Sequence, residues 1–167
     1  ELEASEAVRW EWLLHSPTEF KMDVTKKTLS TNNKTKGWVA VTQLFGGHVF
    51  TLSQTDRFVV PPAITGAEYP NQWHLTARVD GCSATRFLAI IQVGDEAVPI
   101  INRDGDTFNV GDWTIKAVLD AFKAPELAVS HRTEQAVFSY GTDNPALNGN
   151  FYSRQYTGSS LLYDEID

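Results

Sequence analysis

A chain of 167 residues with 42% apolar and 11% aromatic content carries enough apolar side chain for one packed core, which excludes a disordered segment. Its 21 acidic residues outnumber 14 basic ones for a net charge of -7, but six of the acids (Glu1, Glu3, Glu6, Asp164, Glu165, Asp167) stand at the two ends. The body is therefore close to neutral and lacks the basic surface that nucleic acid requires, while no stretch reaches the roughly 18–20 apolar residues of a membrane-spanning helix.

Length predicts a single domain over residues 1–167. Period-two alternation, not helical spacing, sets its class. Val8 to His15 places Trp10, Trp12 and Leu14 on one face of a strand and Arg9 and Glu11 on the other. Gly37 to Leu44 reads as a strand whose Val39 and Val41 face the core, with Trp38, Ala40 and Thr42 opposite. Gly46-Gly47 predicts a hairpin into a strand over His48 to Ser53. A longer connection, residues 56–71, carries Pro61-Pro62 and Tyr69-Pro70-Asn71. Gln72 to Val79 alternates Trp73, Leu75, Ala77 and Val79 against Gln72, His74, Thr76 and Arg78. Thr85 to Val93 is apolar on both sides and predicts a central strand.

The second half continues with strands over Val98–Asn102, Thr107–Val110, Trp113–Leu119, Leu127–His131 and Ala136–Tyr140. A single helical turn is expected over Leu119 to Lys123, and residues 142–167 read as loop-rich, closed by a strand at Leu161-Leu162-Tyr163. About ten short strands separated by turn residues predict an all-β fold, a two-sheet antiparallel β-sandwich of jelly-roll-like form.

The segments Trp10-Glu11-Trp12-Leu13-Leu14-His15-Ser16, Gln72-Trp73-His74-Leu75-Thr76 and Thr85-Arg86-Phe87-Leu88-Ala89-Ile90-Ile91-Gln92-Val93 occur in a telling order, with Ser159-Ser160-Leu161-Leu162-Tyr163 behind them. In these the chain resembles the C-terminal β-sandwich region of heparinase II/III-like polysaccharide lyases. The resemblance implies a bacterial, secreted or periplasmic lyase that cleaves acidic, uronate-containing polysaccharide by β-elimination, with this chain as a piece of it. In that family a helical toroid supplies the catalytic tyrosine and histidine. This chain has no such domain, so no catalytic residue carries over and the expectation is a non-enzymatic one. Either it is a carbohydrate-binding module for a glycosaminoglycan (chondroitin sulfate, hyaluronan, heparin) or alginate, or it is an accessory domain packed on the catalytic domain of its parent lyase. A small enzyme in its own right is a third reading.

Sugar binding on a β-sandwich needs a ring face and hydroxyl-fixing groups, and an acidic sugar adds Lys or Arg. Five of the seven lysines lie in residues 21–36, beside one acid, Asp23. Trp38 with Asn33, Lys34 and Lys36 is therefore one candidate site; the alternative is a rim tryptophan beside a solvated loop. His74, Thr76 and Arg78, joined by Arg86 and Gln92 if those share the face, form a second, against ordinary cross-strand pairing. The histidines His15, His48, His74 and His131 show no close metal-ligand spacing. Arg103-Asp104-Gly105-Asp106 with Asn109 and Asp112 offers oxygen ligands for calcium, but without the glutamate of an EF-hand loop. Two successive hairpin turns explain it equally well. No cofactor is called for by any motif. Tyr152 and Tyr156 beside Arg154 are further sugar-contact candidates, whereas Trp10 and Trp12 read as core and Cys82 as a small buried hydrophobe.

Overall fold

A computed structural model describes residues 1–33, 38–57, 72–95, 98–133, 137–141, 146–148, 150–157 and 160–165, with residues 32, 33, 38, 151–157 and 160–165 described by backbone alone. It is all-β, with antiparallel pairing throughout and no helix among the described residues. The chain divides into two compact units, Glu1–Val98 and Pro99–Asp167.

The first unit holds seven strands: β1 (Leu2–Ser16), β2 (Lys21–Asp23), β3 (Thr28–Asn33), β4 (Trp38–Gly46), β5 (Thr51–Thr55), β6 (Trp73–Thr85) and β7 (Phe87–Gly94). They form a three-stranded sheet in the order β1-β6-β5 and a four-stranded sheet in the order β2-β3-β4-β7. The two sheets enclose one core of Phe20, Leu29, Leu44, Phe50, Leu75, Ala77 and Val79, a β-sandwich. Trp10, Trp12, Leu14 and Trp73 pack against it, as their alternation predicts. Fully burying each Leu or Phe of this set contributes about 1.5–3 kcal/mol. Cys82 is half-buried against the same cluster, and its carbonyl accepts the Trp10 indole N–H at 3.0 Å.

Three expectations are corrected. In β4 the buried set is Thr42 and Leu44, while Val39 and Val41 are only half-buried, so the valine face is not the core face. Gly46-Gly47 does not close a hairpin: β4 pairs with β7, β5 pairs with β6, and residues 47–50 carry the chain from one sheet to the other. A Cβ at Gly46 would sit 3.1 Å from the Phe50 ring, which plugs the core at this crossing, so a larger residue there would press that ring aside. Finally β7, expected to be central, is an edge among the described strands, with Ile90 buried but Ile91 and Val93 exposed.

The second unit is one eight-stranded sheet in sequential order. Its strands are β8 (Ile101–Asp104), β9 (Thr107–Val110), β10 (Trp113–Ala117), β11 (Leu127–His131), β12 (Val137–Tyr140), β13 (Ala146–Leu147), β14 (Asn150–Thr157) and β15 (Ser160–Glu165). Register places Phe108, Ile115, Val129 and Phe138 side by side across four strands, and Phe108 is wholly buried. The two-residue turns β8–β9 and β9–β10 each carry a glycine at φ +57°, Gly105 and Gly111, in the first central position that the right-handed strand twist favours. The expected helical turn at Leu119–Lys123 is instead an Asx-turn: the Asp120 carboxylate accepts Phe122 N–H at 3.0 Å and its carbonyl accepts Lys123 N–H at 3.1 Å. Pro125 prevents a helix from continuing there. Residues 150–157, read as loop, form strand β14 paired with β15.

Candidate functional site

The register of the first unit assembles a regular grid on the outer face of β1-β6-β5. Cross-strand neighbours on it are Glu11, Arg78 and Thr51 in one row, Leu13, Thr76 and Ser53 in the next, and His15, His74 and Thr55 in the third. The opposite parity of the same strands (Trp12, Leu14, Leu75, Ala77, Leu52) goes to the core, so strict period two commits this set to the outside. Thr51, Ser53 and Thr55 are exposed, and their hydroxyls repeat about every 7 Å along the strand.

At one end of the grid Asp80 receives two arginines on a single carboxylate oxygen: Arg78 Nε donates at 2.8 Å and Arg9 Nε at 3.2 Å. The hydrogen bond from Arg78 is the main cause holding the Asp80 carboxyl below its usual value; some desolvation opposes it and Arg9 adds to it. At the other end the rings of His15 and His74 meet edge to face, with centroids 4.5 Å apart. Between them Leu13 lies 54% exposed, an apolar spot on a polar face. The surface thus offers guanidinium donors, hydroxyls and the exposed His15 ring, while His74 is half-buried with its Nε2 turned out of solvent.

Of the sequence candidates, His74, Thr76 and Arg78 come together here. Arg86 does not. Its side chain is 7% exposed at the corner between β6 and β7, where Nε and Nη2 both donate to Glu1 Oε1, at 3.0 and 2.6 Å. It anchors the start of β1 and offers no charge to this face. Gln92 belongs to the other sheet, opposite Val41. In the first candidate, Asn33 and Trp38 are register partners at the end of the β3–β4 pair. Their side chains, with Lys34 and Lys36 entirely, lie outside the described residues. The reasoning that set Trp38 opposite a Val39–Val41 core face loses its premise. The side chains of Tyr152, Arg154 and Tyr156 are also outside the described residues.

Part of the calcium candidate is engaged internally. Asp112 pairs with Arg132 at 2.8 Å, Asn109 Oδ1 accepts the Thr114 hydroxyl at 3.1 Å, and Arg103 Nε donates to the Gly105 carbonyl at 2.9 Å. Among the described residues no three His, Cys, Asp or Glu side chains cluster as metal ligands, and no helix is long and apolar enough to cross a membrane.

Sequence reasoning missed Arg9, Leu13 and the β5 hydroxyls as members of the face. The alternation of Arg9, Glu11 and Leu13 against Trp10, Trp12 and Leu14 carried the signal for the first two. It also missed Trp113 in the second unit, which is partly exposed with its ring 4.6 Å from that of His131. No family model matches this chain, and no curated protein matches it.

Proposed function

We propose that the chain is a non-catalytic carbohydrate-binding module for an acidic, uronate-containing polysaccharide, a glycosaminoglycan or alginate, carried by a secreted or periplasmic bacterial lyase. The outer face of β1-β6-β5 is the contact surface. The observation that carries the reading is the grid itself: a polar sheet face with Arg78 and Arg9 at one end and a row of exposed hydroxyls along β5.

In this reading a uronate carboxylate competes with Asp80 for the guanidinium of Arg78, whose planar fork suits a carboxylate. Thr51, Ser53 and Thr76 meet sugar hydroxyls, and Leu13 with the His15 ring meets the apolar side of a pyranose. Glu11 and Asp80 balance the two arginines, and the whole chain is acidic, so attraction is short-ranged and weakens with salt. The test is calorimetric titration with chondroitin sulfate, hyaluronan, heparin and alginate oligosaccharides, repeated on Arg78→Ala and Asp80→Asn. Saturable binding to one of them, lost in Arg78→Ala and tightened in Asp80→Asn, is expected. A flat titration across the panel refutes the reading.

One observation favours a second reading, an accessory domain that packs on the catalytic domain of a lyase. On edge strand β7, Ile91 and Val93 are 55% and 69% exposed on the same side of the strand, and paired apolar residues of this kind suit a protein contact. Flat titrations combined with higher solubility of Ile91→Lys and Val93→Lys select this alternative.

A further inference from the structure

Strand β1 is one edge of the three-stranded sheet, and among the described residues no strand pairs with its outer side. Such an edge carries a row of backbone donors and acceptors ready for another strand, and native proteins usually guard it with bulges or charge. A bulge guards only the first part here: the register with β6 slips between Glu3 and Val8, where β1 carries the extra residues. From Ala7 to His15 exposed and half-buried positions alternate without a break, and the half-buried set includes Trp10 and Trp12. Two tryptophans left half-covered along an edge are a contact surface in waiting.

The charges on this edge select what covers it. Arg9 and Glu11 stand two residues apart on the exposed side of β1, so one antiparallel partner answers both: a second copy of β1, centred on Trp10. Residues of like parity must oppose each other if the polar and core faces of two copies are to coincide. In that register Arg9 of each copy lies opposite Glu11 of the other, Leu13 opposite Ala7, Trp12 opposite Val8, and Trp10 opposite Trp10. A two-residue slip either way sets Arg9 on Arg9 or Glu11 on Glu11. Arg9 meets Asp80 through Nε alone, which leaves its terminal nitrogens for the carboxylate of the copy. We infer that β1 joins two copies of this chain into a symmetric dimer, in which the two β1-β6-β5 sheets run on into each other. The interface is separate from the polysaccharide reading and does not rest on it.

Sedimentation velocity of the full chain from about 1 μM to 1 mM covers the range in which a small strand-edge interface associates. A reversible monomer–dimer equilibrium is expected. Arg9→Glu or Glu11→Arg alone turns both cross-strand pairs into like charges and should weaken the dimer by about tenfold or more. The two single variants mixed together regain both pairs and should form a mixed dimer as tight as the wild type. The double variant Arg9→Glu/Glu11→Arg should do the same with itself. Both positions are exposed, and recovery on mixing itself shows that each variant is folded. The inference is overturned if the wild type stays monomeric throughout, if either single variant associates like the wild type, or if neither the mixture nor the double variant recovers the dimer.

Discussion

Leu13 and Leu75 allow the same substitution on opposite faces of one sheet. Leu75 pairs with Leu14 and is 0% exposed, whereas Leu13 pairs with Thr76 and stands more than half exposed. Truncation to alanine removes three carbons, worth about 2.4 kcal/mol of transfer free energy when the side chain is fully buried. At Leu75 a cavity term adds to this, because neighbours in a two-sheet core collapse only partly, for a total of about 3–4 kcal/mol. At Leu13 about half of the transfer term is lost and no cavity forms, so the cost is about 1 kcal/mol or less. Urea unfolding followed by tryptophan fluorescence reads both, with the slope of the transition checked for constancy. The expected gap between Leu75→Ala and Leu13→Ala is about 2 kcal/mol or more. Equal losses, or a larger loss at Leu13, refute the assignment of faces, since a one-residue slip in β1 and β6 exchanges the two sets.

Asp80 has a lowered folded-state pKa, so its ion pairs contribute stability that is complete above the ordinary carboxylate value of 3.8 and lost as pH falls through the folded value. Wild type should therefore lose more stability than Asp80→Asn between pH 7 and pH 3, measured as urea midpoints. Arg86→Ala should cost about 2–3 kcal/mol, since it removes charge-assisted bonds at a buried corner. Arg78→Ala should cost less than about 1 kcal/mol, as a solvent-exposed ion pair does; the two are compared by chemical denaturation. Gly105→Ala forces a side chain into φ +57° and should cost about 1–2 kcal/mol in a thermal melt although the space around it is open. Gly105→Asn should recover part of that loss.

The strands of the polar face were legible because their alternation is strict: Trp10, Trp12 and Leu14 or Trp73, Leu75 and Ala77 leave no doubt which side is buried. β4 was misread because both of its faces are apolar and one of its two buried members, Thr42 beside Leu44, is polar, so hydrophobicity pointed to the valines. β14 was read as loop because Asn150-Phe151-Tyr152-Ser153-Arg154-Gln155-Tyr156-Thr157 has no clean apolar side. The turn before it is built on Asn148, whose φ of 50° and paired bonds with the Val137 backbone mark a left-handed turn residue. Arg86 shows a different limit. An arginine at a strand boundary reads as a surface charge, and only the return of Glu1 from 85 residues away makes it a buried anchor.

The long pairing of β1 with β6 also sets the order in which this protein is able to form. Arg9 and Asp80 meet across 71 residues, whereas Asp104 and Thr107 meet across one turn and every strand of β8 to β15 pairs with its sequence neighbour. Strand β1 emerges first and waits for β6. At typical synthesis rates that wait is on the order of 4–14 s. Throughout it, the fifteen residues of β1 have no partner strand, and Trp10, Trp12 and Leu14 have no core to enter. The later sheet needs no such delay, because its local pairings close quickly. The nascent first unit is thus the stage at which this chain is most exposed to aggregation, and the stage at which a holding chaperone has most to gain.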